Sequence, residues 1–113
     1  MPPWGAVYCH AEAHVVVDEC GAPEFYAGGA RMAGIAAPHG KIGLAELAPL
    51  LPGGKGVVHH MQPAAISLTQ ATEAGTVYRP DEIVAIGELA RRHGLGFHVD
   101  GARFANALVH LGC

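Results

Sequence analysis

Apolar residues in this chain come in short blocks separated by polar and turn-forming residues. Ala6-Val7-Tyr8-Cys9, Arg31-Met32-Ala33-Gly34-Ile35 and Ala64-Ala65-Ile66-Ser67-Leu68-Thr69 have the length of strands rather than helices. Leu95-Gly96-Phe97-His98-Val99 is a fourth such run, and Val57-Val58-His59-His60 a weaker fifth. Other stretches carry a helical period. Leu44, Leu47, Leu50 and Leu51 predict a helix over 43–51, ended by Pro52-Gly53-Gly54. A helical segment is predicted from Ala11 to Cys20, with Gly21-Ala22-Pro23 as its stop. Gly28-Gly29 and Pro38-His39-Gly40 read as turns.

The clearest unit runs from 80 to 99. Pro80 suits the first helical position, where its missing N–H costs nothing. Asp81 and Glu82 complement the positive helix start, and Arg91, Arg92 and His93 the negative end. Ile83, Val84, Ile86, Leu89 and Ala90 supply an apolar face, and Gly94 fits a left-handed stop. Strand 64–69, helix 80–93 and strand 95–99 therefore predict a βαβ crossover, right-handed by the usual rule. The alternation of strands and helices predicts an α/β fold with a parallel sheet.

Bulk properties narrow the classes. At 113 residues the chain holds at most one domain. Half of it is hydrophobic and 15% is charged, too apolar for disorder and more like a piece of a larger core. The formal charge is −3, and no basic cluster exceeds Arg91-Arg92, so nucleic acid is not an expected partner. No apolar run approaches membrane-spanning length, and residues 1–8 lack a basic leader. Three cysteines, Cys9, Cys20 and Cys113, without a spacing pattern suit a reducing cytoplasm.

Candidate chemistry concentrates where strands end. Asp100 closes the run 95–99, and Arg103 follows in the first turn of the next helix. In parallel sheets, ligands sit beyond the carboxyl ends of the strands. A negative and a positive group would thus share one site mouth. Asp100 can alternatively cap its helix, and Arg103 can be a surface residue. His10, His14 and Asp18 fall at i, i+4 and i+8 and form a weak zinc alternative; His59-His60 is weaker still, since strand neighbours point apart. Gly28-Gly29 and Gly53-Gly54-Lys55-Gly56 match no phosphate-loop pattern and read as turns.

His98-Val99-Asp100-Gly101-Ala102-Arg103-Phe104-Ala105-Asn106-Ala107 resembles the Asp-Gly-Ala-Arg segment of the threonine aldolase / β-eliminating lyase family. The run from Cys9 to Phe25 and the run Ser67–Tyr78 extend the resemblance over nearly the whole chain, most strongly at 10–31 and 64–113. Within the family the chain is most similar to the bacterial low-specificity members. The resemblance implies the mainly parallel-sheet large domain of an aspartate-aminotransferase-like (fold type I) enzyme. It also implies pyridoxal 5'-phosphate as cofactor and retro-aldol cleavage of L-threonine or L-allo-threonine to glycine and an aldehyde.

By the same resemblance, Asp100 partners the cofactor's pyridine nitrogen, His14 stacks on its ring, and Arg103 meets the substrate carboxylate. The loop carrying Thr72 and Glu73 reaches the site, and both are candidates to assist at the substrate hydroxyl. Many relatives carry a histidine where Thr72 aligns. Glu19 is a further candidate carboxylate, or a partner of Arg31. The phosphate-cradling segment is expected before residue 1, and the Schiff-base lysine and small domain after Cys113. Lys41 and Lys55 do not match the lysine segment. The chain alone is therefore expected to be inactive, while the full-length family is homo-oligomeric. The alternative is a catalytically dead remnant acting as an interaction or metal-binding module.

Overall fold

The computed structural model describes residues 2–51 and 56–112. Four strands, β1 (Gly5–His10), β2 (Arg31–Ile35), β3 (Gln62–Thr69) and β4 (Gly96–Asp100), form one sheet. Their order is β2-β1-β3-β4, and every pairing is parallel. In register, Tyr8 lies opposite Ala33 on one side and Ile66 on the other, and Thr69 lies opposite Asp100. All four carboxyl ends therefore meet at one edge, carrying His10, Ile35, Thr69 and Asp100.

Among the described residues, the α-helices α1 (His14–Val17), α2 (Ala22–Tyr26), α3 (Leu44–Leu47) and α4 (Pro80–Arg92) lie between strands, and α5 (Phe104–Leu111) follows the last one. α4 is the crossover between β3 and β4. Its Ile86, Leu89 and Ala90 are buried with Ile66 and Leu68 of β3, Ile42, Leu47, Leu51 and Tyr78. Each fully buried Leu or Ile contributes about 1.5–3 kcal/mol. At the start of α4, Glu82 Oε1 accepts the Arg79 N–H at 2.8 Å, the reach-back half of a capping box. At its end Gly94 takes φ +68°, and the Leu95 N–H returns to the Ala90 carbonyl at 2.8 Å. β3 is central, and its residues 65–69 are all buried, as a doubly covered parallel strand requires. β4 is an edge strand and keeps Phe97 37% exposed.

Several expectations need correction. The helix over 11–20 is confined to α1. The Ala11 N–H instead extends the sheet ladder to the Ile35 carbonyl at 2.9 Å. The β-branched run Val15-Val16-Val17 gives α1 little helix propensity of its own. Gly21-Ala22-Pro23 is less a stop than a new start. Gly21, at φ +74°, caps α2, and Pro23 sits in its first turn. The helix over 43–51 shortens to α3 followed by turns through Leu51. Val57–His60 is a turn rather than a strand, closed by the His60 N–H on the Val57 carbonyl at 3.1 Å. β3 already has β1 and β4 on its two sides, and Val58 is left 91% exposed. The Pro52-Gly53-Gly54 stop and Lys55 lie outside the described residues.

Candidate active site at the carboxyl edge of the sheet

Of the four segments that leave this edge, those after β1, β3 and β4 carry the residues singled out from sequence. α1 begins with His14, directly after the three-residue connection 11–13 that follows β1. The loop after β3 carries Thr72 and Glu73, and Asp100 is the last residue of β4, with Arg103 just before α5.

Asp100 does not cap α5. Its Oδ1 accepts the Ala102 N–H at 3.0 Å, closing a tight local turn, and among the described residues no other hydrogen bond engages the carboxylate. Oδ2 is left as an acceptor at the strand end. Arg103 sits at the N-cap position of α5 rather than in its first turn. Its Nε donates to the Ala71 carbonyl at 3.0 Å, which ties the guanidinium to the loop after β3. Its Nη2 is buried and makes no hydrogen bond, although Glu73 Oε1 lies 3.4 Å away, at ion-pair distance without hydrogen-bond geometry.

Glu73 also reaches the third loop. Its Oε1 accepts the His14 backbone N–H at 2.8 Å, one of the donors that a helix start leaves without an internal partner. The His14 ring donates from Nδ1 to Glu19 Oε1 at 2.7 Å and lies 3.4 Å from Asp18. The bond to Glu19 is the main cause holding the His14 imidazolium protonated above the usual histidine range; Asp18 and Asp100 add their negative charges. Glu19 thus partners His14, not Arg31.

The loop between β3 and α4 is a rigid mount for Glu73. Gln70 makes two bonds to the backbone of Tyr78, from Nε2 to its carbonyl at 2.7 Å and to Oε1 from its N–H at 2.9 Å. The peptide between Gln70 and Ala71 is cis. Thr72 is buried and its hydroxyl is bonded to Thr76 Oγ1 at 2.6 Å and to the Thr76 N–H at 3.1 Å. Of this pair, Glu73 is the one that meets His14 and Arg103. A pair that the sequence did not reveal lies below the site: Ser67 Oγ and His98 Nδ1 are 2.8 Å apart across β3 and β4. By strand alternation they share a face with Thr69 and Asp100. Neighbouring-strand register would have been needed to find it.

The zinc alternative does not assemble. His10 ends β1 rather than starting a helix, and both ring nitrogens are engaged. Nε2 donates to the Ala37 carbonyl at 2.7 Å, and Nδ1 accepts the Glu12 N–H at 3.1 Å. His59 and His60 instead line a cavity of about 440 Å³ with Tyr8, Arg31 and Met32, on the side of β2. That is the far edge of the sheet from Asp100. Among the described residues no helix is long and apolar enough to cross a membrane.

The four-stranded all-parallel α/β architecture is that of the large domain of aspartate-aminotransferase-like, fold type I enzymes, as its match to a solved threonine aldolase shows. The chain belongs to the beta-eliminating lyase family, whose profile matches residues 1–113. It is 44% identical over 108 residues to the low specificity L-threonine aldolase of Pseudomonas aeruginosa, covering 96% of this chain and 31% of that protein. Identity is 43% over 108 residues with the low specificity L-threonine aldolase of a Pseudomonas species, with the same coverage. Among solved structures, the threonine aldolase of Leishmania major superposes with a TM-score of 0.86 at 31% identity, over 96% of this chain and 31% of that one. The chain thus spans about a third of the length of these relatives.

Proposed function

We propose that residues 1–113 are the central portion of the cofactor-binding domain of a pyridoxal 5'-phosphate-dependent aldehyde-lyase. Its substrates would be β-hydroxy-α-amino acids, L-threonine and L-allo-threonine among them, cleaved to glycine and an aldehyde. The observation that carries this reading is the convergence of Asp100, Arg103 and His14 at one sheet edge.

The residues present fit the group. Asp100 retains an unengaged carboxylate oxygen at the strand end, suited to a cationic ring N–H. His14 offers a flat ring at the same sheet edge. Arg103 keeps 41% of its side chain exposed, so its guanidinium is open to a carboxylate. When bound, pyridoxal 5'-phosphate supplies an electron sink conjugated to the amino acid's Cα. Asp100 keeps a proton on the ring nitrogen, which keeps that sink electron-poor. Arg103 orients the substrate through its carboxylate. Glu73, and with less freedom Thr72, is placed to meet a substrate hydroxyl. Lys41, the one described lysine, is held by Glu82 at 2.8 Å and lies over the Tyr78 ring, so it offers no covalent anchor. By the family resemblance, the lysine and the phosphate cradle would lie in segments flanking these residues, and a homo-oligomeric assembly is expected of the full protein.

The test is an assay of glycine release from L-threonine by the protein with its flanking segments, beside the 113-residue chain alone. The extended protein should be active, and its Asp100→Asn variant should lose at least about a hundredfold in kcat. The chain alone should release no glycine. An Asp100→Asn variant with full activity would sink the reading.

A further inference from the structure

Among the described residues, Glu73 is the side chain that touches both the His14 segment and Arg103. Its Oε1 is bonded to the His14 amide at 2.8 Å and stands 3.4 Å from Arg103 Nη2. The Arg103 end of this contact is incomplete, because Nη2 is buried and forms no hydrogen bond there. The guanidinium is drawn away from Glu73 by the bond from Nε to the Ala71 carbonyl. Glu73 is equally constrained by the bonded loop beneath it. Two opposite charges are thus held near each other but not in each other's best geometry.

We propose that Glu73 is a positioning residue that acts as an internal competitor for the carboxylate site of Arg103. It fixes the His14 segment and neutralises the guanidinium while the site is free. An arriving carboxylate meets the accessible part of the Arg103 guanidinium, whose side chain is 41% exposed, and the negative charge of Glu73 beside it. Glu73 therefore weakens the binding of a bare carboxylate and favours ligands that bring a donor for Glu73 as well. The inference rests on the reading of Arg103 as the carboxylate-recognising group.

The probe is acetate, a carboxylate with no second functional group, titrated into the 113-residue chain and followed by backbone amide NMR. Glu73→Gln keeps an oxygen for the His14 N–H but removes the charge. It should bind acetate about fivefold more tightly than the wild type, the scale of one partly exposed ion pair. The gain should shrink as salt is raised. Arg103→Ala should bind no acetate at this site. In the wild type, the His14 amide resonance should move in step with saturation. Equal or weaker binding by Glu73→Gln, with binding still lost in Arg103→Ala, overturns the competitor role and leaves the carboxylate reading standing. Acetate binding that ignores Arg103 overturns both. Should Glu73→Gln not fold, a wild-type His14 amide unmoved at acetate saturation overturns the competitor role.

Discussion

The Tyr78 hydroxyl accepts the backbone N–H of Ile42 at 2.8 Å inside the core, joining residues 36 positions apart. Tyr78 is buried, and its two backbone groups are held by Gln70. This one side chain therefore fastens the loop beneath Glu73 to the segment that leads into α3.

Tyr78→Phe should keep the packing and leave the Ile42 N–H without a partner. The expected cost is about 1–3 kcal/mol, read as a lower denaturant midpoint with an unchanged m-value. Burial pushes the Tyr78 phenol up to about 12. The folded value is above the unfolded one of about 10. The stabilisation it carries is thus complete below about 10 and fades as pH rises toward 12. Tyr78→Phe should remove that alkaline loss.

His14 offers a second titration. Its folded value is raised, chiefly by the bond to Glu19. Its contribution to stability is therefore full below the ordinary histidine value of about 6.5 and is lost as pH rises through the raised value. Glu19→Gln should bring the ring's titration back toward the ordinary value, as followed by NMR of the imidazole. A midpoint unmoved by Glu19→Gln would contradict this assignment.

Two glycines separate strain from space. Gly40 has φ +71°, and a Cβ there would lie 2.8 Å from Ala74 Cβ and 3.1 Å from Thr72 Oγ1. Gly94 has φ +68° with nothing within 4 Å. Gly94→Ala should cost about 1–2 kcal/mol from backbone strain alone. Gly40→Ala should cost about 1–3 kcal/mol more, because the loop under Glu73 must also move. Thermal unfolding of the two variants gives the comparison.

Thiol chemistry should distinguish two cysteines. Cys9 is fully buried, and burial, with Glu24 and Glu73 adding their charges, pushes its thiol up to about 11. Cys20 is exposed. Iodoacetamide at neutral pH should modify Cys20 in the native protein and reach Cys9 only after unfolding, as peptide mass spectrometry would show. Native modification of Cys9 at the rate of Cys20 would refute the burial argument.

Arg103→Lys tests the planar fork. Lysine cannot bond the Ala71 carbonyl and present a second donor to a carboxylate together. Carboxylate affinity should fall by about tenfold, the scale of one lost charge-assisted hydrogen bond, with little change in unfolding temperature. Acetate binding measured as above checks it.

By itself, the sequence determined the elements whose signals are local. Helix 80–93 was legible because proline, acids, bases and glycine each stand at the position that local backbone chemistry favours. The strand runs at 6–9, 31–35, 64–69 and 95–99 were legible as short apolar blocks, with ends that shifted by one or two residues. The motif around Asp100 and Arg103 marked the carboxyl end of the last strand as the edge of a candidate site. Short-range pattern failed where long-range pairing competed with it. Ala11 follows the ladder to Ile35 instead of the helical period, and Val57-Val58 finds no open neighbour in the sheet. Only the tertiary structure decided the partners within the site: Glu19 with His14, Glu73 with both the His14 amide and Arg103, Ser67 with His98. These pairs are 5 to 59 residues apart. Strand order and register, which no local pattern encodes, set which of the available charges and donors come within hydrogen-bonding distance.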